Sequence, residues 1–92
     1  MNLRTIILAF LAARSPAAFT THVLTTRIKQ SHMVDAAITP SSIETALREL
    51  ASPRMGSLVD CDIDPVSKHT YWYATEAGIR RWTLDGRIPV EG

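Results

Sequence analysis

Ile38-Thr39-Pro40-Ser41-Ser42-Ile43-Glu44-Thr45-Ala46-Leu47-Arg48-Glu49-Leu50 is followed, after Ser52-Pro53 and Gly56, by Leu58-Val59-Asp60-Cys61-Asp62-Ile63. The period of the apolar residues changes within this stretch. Thr39 is suited to N-cap a helix and Pro40 to occupy its first turn. Ile43, Ala46, Leu47 and Leu50 then recur at helical spacing, predicting a third helix over about residues 40–52. Ser52-Pro53 stops it and Gly56 completes the turn. Beyond the turn Val59, Cys61 and Ile63 alternate with Asp60 and Asp62, the period of a half-buried strand. A capped helix therefore runs directly into a strand.

Downstream, Asp64-Pro65-Val66-Ser67-Lys68 reads as a turn. His69 to Thr75 reads as a second strand, rich in aromatic and β-branched residues, so the pair forms an antiparallel hairpin over about residues 57–75. Trp72 lies on the opposite strand face from Tyr71 and Tyr73. Alternation alone does not decide which of the two faces meets the helices. Thr75 caps a last short helix, Glu76 to Trp82, and residues 84–92, with Asp85-Gly86 and Pro89, read as a tail.

Upstream, Leu3, Ile6, Ile7, Phe10 and Leu11 fall on one face of a helix capped by Asn2 and running to about Arg14. The same apolar run resembles the core of a secretory signal, with small residues around Ser15 to Ala18. Arg14 interrupts that pattern, and losing the segment would leave too little chain to close a core, so a first core helix is the better reading. A second helix is expected from near Ala17–Thr20 to Ser31, burying Phe19, Val23, Leu24 and Ile28. His32 to Ile38 is a connector, with an extended piece possible from Met33.

At 92 residues the chain accommodates one domain, placed at residues 1–83, and its 46% hydrophobic and 21% charged content is that of a globular protein. One cysteine, Cys61, permits neither an internal disulfide nor a cysteine-rich zinc site, which fits a reducing cytoplasm. The formal net charge of +1 gives a nucleic-acid partner no global support.

Helix, helix, helix, hairpin, helix is the topology of an α+β winged helix-turn-helix domain. Two segments carry a closer resemblance. Ile38 to Leu50 resembles the recognition-helix segment of winged-helix transcriptional regulators of the PadR and MarR kind. Tyr71-Trp72-Tyr73-Ala74-Thr75-Glu76-Ala77-Gly78 is similar to their Tyr-x-Leu-Thr-x-x-Gly signature, with Ala74 where leucine is usual. The resemblance implies a protein that reads double-stranded DNA with the third helix in the major groove and the wing on the backbone. It implies a homodimer as well, joined through the first and last helices. The residues that would contact DNA are Ser41, Ser42, Thr45, Arg48, Arg54, Lys68 and His69, with Arg27 and Lys29 as further nearby cations.

Other residues argue for a different use of the fold. Glu44 and Glu49 share the third helix with its one arginine, and Asp60, Asp62 and Asp64 form an acidic row on the first wing strand. Carboxylates repel phosphates, so a winged helix that binds another protein instead of DNA is the alternative. The aspartate row matches only the first half of a calcium loop, because Pro65 replaces the glycine and Tyr71 the glutamate. A solvated strand face, or pairing with Arg80 and Arg81, explains the row better. His22, His32 and His69 share no metal-ligand spacing, and no nucleophile, phosphate loop or cofactor motif stands out. No enzyme, cofactor or membrane span is expected.

Overall fold

The computed structural model describes residues 3–31 and 38–83. Its elements run α1 (Leu3–Ala13), α2 (Thr21–Gln30), α3 (Pro40–Ala51), a short 3-10 turn (Pro53–Met55), β1 (Val59–Ile63), β2 (Thr70–Ala74) and α4 (Glu76–Arg81). This order is a winged helix: a helical core with a two-stranded wing after its third helix. The expected Asn2 cap, the 32–37 connector and the 84–92 tail lie outside the described residues.

α1 is a core helix. Ile6, Ile7, Leu8, Leu11 and Ala12 are buried, while Phe10 is only half-buried. The apolar run is wider than a single stripe because α1 touches α2, α3, α4 and β2 at once. The fully buried centre is Ile7, Leu11, Leu24, Ile28, Ile43, Leu47, Leu50 and Val59, which draws on three helices and the wing. No helix among the described residues is long and apolar enough to cross a membrane.

α2 begins later than its sequence suggests. Thr20 is the N-cap, accepting a hydrogen bond from the Val23 N–H at 3.2 Å. Phe19 therefore does not belong to the buried stripe of α2. It is extended and pairs with the wing: its N–H donates to the Trp72 carbonyl at 2.9 Å, and the Trp72 N–H donates back at 2.7 Å. The expectation failed because apolar spacing places Phe19 in register with Val23, whereas Thr20 caps better than anything before it. Its ring meets Phe10 edge-on, 5.3 Å between centroids.

The wing pairs Val59 with Ala74, Cys61 with Trp72 and Ile63 with Thr70. Trp72 and Ala74 are buried, so this face meets the helices, and Tyr71 and Tyr73 lie on the other face with Asp60 and Asp62. Val59 is buried, Cys61 half-buried and Ile63 64% exposed. The alternation was read correctly, but the strand leaves the core as it extends. Gly56 makes the turn out of α3 at φ 96°, in the left-handed region that favours glycine. The Leu58 N–H then donates to the Leu50 carbonyl at 2.8 Å, tying the wing to the end of α3.

Candidate nucleic-acid interface

Of the three longer helices described, α3 is the most strongly two-faced. Thr39 caps it through the Ser42 N–H at 3.2 Å, Pro40 fills the first turn, and Ile43, Ala46, Leu47 and Leu50 are buried. At about 3.6 residues per turn the opposite ridge carries Ser41, Glu44, Thr45 and Arg48. All four are exposed. Ser42 and Glu49 sit on the flank towards α1. The Ser42 hydroxyl is within 3.1 Å of the Thr39 hydroxyl, so it belongs partly to the cap.

Both carboxylates on α3 face an arginine. Glu44 lies 3.6 Å from Arg48, one turn along the helix. Glu49 lies 3.9 Å from Arg4 of α1. These pairs are exposed, so each contributes little to stability, of order 0.2–1 kcal/mol. Their importance is local. They offset the carboxylate of the ridge, Glu44, and that of its flank, Glu49, beside the hydroxyls.

A groove runs along each side of the ridge. On the α1 side a space of about 500 Å³ is lined by Leu3, Arg4, Ser41, Ser42, Thr45, Ala46 and Glu49. On the wing side a space of about 550 Å³ is lined by Thr20, Thr21, His22, Glu44, Lys68, His69 and Thr70. The structure thus brings Ser41, Ser42 and Thr45 together in one groove and Lys68 and His69 in the other, with Arg48 on the ridge between them. Arg54 stands apart, exposed on the 3-10 turn beyond α3, where its N–H donates to the Ser52 hydroxyl at 3.2 Å.

Two predicted neighbours are not neighbours. Arg27 lines a different groove, between α1 and α2, and Arg80 pairs with Glu76 in its own helix at 2.7 Å instead of with the aspartate row. Residues missed by sequence reasoning are Arg4 and the start of α2, namely Thr20, Thr21 and His22. The cap signal at Thr20 was legible. That it would face the wing was not, because this depends on how α2 packs.

The aspartate row is turned away from α3. Asp60 and Asp62 pair across the strands with Tyr73 and Tyr71 on the outer face, and Cys61 occupies the inner one. Burial, and then the charges of Asp60 and Asp62, push the Cys61 thiol above its ordinary pKa, while the Arg48 charge opposes them. The Tyr73 phenol is also pushed up, first by desolvation and then by the same two aspartates. Asp64 is committed to the wing turn: it accepts from the Val66 N–H at 2.9 Å and the Ser67 hydroxyl at 3.0 Å, which holds its carboxyl below the usual range. Among the described residues no group of three or more His, Cys, Asp or Glu is placed to hold a metal ion.

The class defined by this fold is the winged-helix protein. No protein-family model and no curated protein matches the chain. Among solved structures, a double mutant of ZitR from Lactococcus lactis is similar, with a TM-score of 0.70 at 16% identity, covering 99% of this chain and 54% of that one. The likeness concerns the fold, and the chain spans about half the length of ZitR.

Proposed function

We propose that the chain is a cytoplasmic transcriptional regulator that binds duplex DNA through α3 and the wing. The observation that carries this reading is the ridge of α3. Its carboxylates are paired with Arg48 and Arg4, its hydroxyls line one flanking groove, and Lys68 and His69 line the other. Hydroxyl groups and the lysine would hold phosphates, and Arg48, released from a weak exposed pair, would reach a base edge. The outward turn of Asp60 and Asp62 keeps their charge away from the groove lined by Lys68 and His69. Assignment to regulators of the PadR or MarR kind rests on the Ile38–Leu50 and Tyr71–Gly78 segments.

Of the first and last helices expected to join a two-fold dimer, the last carries our proposal, because most α1 residues that are not buried line the grooves on either side of it. α4 exposes Glu76, Ala77 and Arg80, and a two-fold contact centred there would set Glu76 of each copy against Arg80 of the other. Two α3 helices could then address adjacent half-sites.

Fluorescence anisotropy with a labelled mixed-sequence duplex tests the reading. Binding should weaken steeply as salt rises. Lys68→Ala should lower the salt slope by about one, and Arg48→Ala should cost about 1–3 kcal/mol on a preferred sequence. Glu44→Gln should strengthen binding by removing a carboxylate from the groove. Absence of binding at low salt would refute the proposal.

A further inference from the structure

Among the described residues, the groove between α1 and the end of α2 shares none with the grooves flanking α3. It encloses about 470 Å³ and its lining is mainly apolar. Phe10 and Trp82 present half-buried aromatic surface to it, and Ala9 and Ala13 lie one turn apart on the same face of α1. Small side chains at that spacing leave a concave wall against which a helix backbone can approach closely.

Arg14 and Arg27 border this apolar lining, and no carboxylate lies among the described residues that line it. The Arg14 guanidinium lies 3.8 Å from the Phe10 ring centroid and donates to the Phe10 carbonyl at 3.3 Å. Arg4, Arg48 and Arg80 each face a carboxylate, whereas among the described residues none stands within ion-pair distance of Arg14 or Arg27. The helix dipole accounts for a cation near the end of α1 and another in the last turn of α2. It does not account for their convergence on one apolar groove. A second copy is a poor occupant, because a two-fold contact centred here would bring four guanidinium groups together. A bilayer is also poor, since the surface is concave.

We propose that this groove docks an amphipathic helix of a partner protein, with apolar side chains seated against Phe10 and Trp82 and carboxylates on its flanks meeting Arg14 and Arg27. The proposal is independent of DNA binding and survives its failure.

The test uses the whole chain, labelled with nitrogen-15, and a synthetic amphipathic helix with leucines on one face and glutamates along its edges. A control peptide carries lysine at every glutamate. The acidic peptide should produce saturable shifts confined to α1, the end of α2 and the Trp82 indole. The double variant Arg14→Glu, Arg27→Glu should weaken it roughly tenfold, the scale of two exposed charge pairs. The same variant should take up the lysine peptide. Both arginines are exposed, and an unchanged circular dichroism melt verifies that the variant folds. The proposal is overturned by absent or unsaturable shifts, by equal affinity for the two peptides, or by self-association of the wild-type chain that shifts the same residues.

Discussion

Gly78 sits where the last helix crosses the entrance to the wing. A β-carbon added there would overlap the Leu58 carbonyl oxygen and press on the Leu8 side chain at 3.1 Å. That oxygen is already held by the Thr75 N–H at 3.0 Å, so it cannot move aside without loss. Thr75 does a second job: its hydroxyl donates to the Ser57 carbonyl at 2.7 Å and accepts from the Gly78 N–H at 3.1 Å. The Thr-x-x-Gly spacing that stood out in the sequence thus has a physical cause, a cap and a close crossing that need each other. Gly78→Ala should destabilise the fold by about 1–3 kcal/mol, as overpacking does in rigid surroundings. Thermal unfolding measures it. An unchanged melting temperature would mean that α4 is free to lift from Leu58.

Among the elements, the wing turn depends on one carboxylate. Asp64 accepts from Val66 and Ser67 at one end of the loop, while its own N–H donates to the His69 carbonyl at 2.9 Å and its carbonyl accepts from Lys68 at 2.8 Å. Lys68 adopts a positive φ of 66° within this closure. Because the folded pKa of Asp64 is lowered, its contribution is complete above the ordinary carboxylate pKa of about 4 and is lost as pH falls through the lowered value. The Val66 and Lys68 amide signals should therefore titrate with a midpoint below the ordinary carboxylate value of about 4. Asp64→Ala should accelerate exchange of the Val66 amide at neutral pH. Exchange unchanged in that variant would show that the backbone bonds suffice. Much at this scale was legible in the sequence. Thr39-Pro40 and the Ala46-Leu47 spacing defined α3, because caps and apolar period are local properties. Alternation placed Cys61 and the aspartates on opposite faces correctly. The inner face of the wing, the ion pair of Glu49 with Arg4, and the extended pairing of Phe19 were not legible. Each of these depends on a residue distant in the chain: Trp72 against α1, Arg4 against α3, Phe19 against Trp72.

Across the whole molecule, those distant contacts make the wing part of the core rather than an appendage. Val59, Trp72 and Ala74 belong to the same buried cluster as Ile7, Leu11 and Leu24. Trp72 also exchanges two backbone hydrogen bonds with Phe19, in the link between α1 and α2. The indole Nε1 of Trp72 is buried without a hydrogen-bond partner, a cost that apolar contact must offset. Trp72 is held, in other words, by packing that vanishes if the helices separate. The strands cannot replace it, since a lone two-stranded hairpin is marginal in water. The wing and helices should therefore unfold together. The chain has two tryptophans, so Trp82→Phe leaves Trp72 as the single emitter. In that variant the melt followed by tryptophan emission should coincide with the helical signal in far-ultraviolet circular dichroism. Trp72→Phe should cost less than large core truncations usually do, because it also removes the unpaired donor. An emission change well below the helical transition would instead show a wing that opens by itself. In that case the placement of Lys68 and His69 beside α3 would be one state among several rather than a fixed property of the fold.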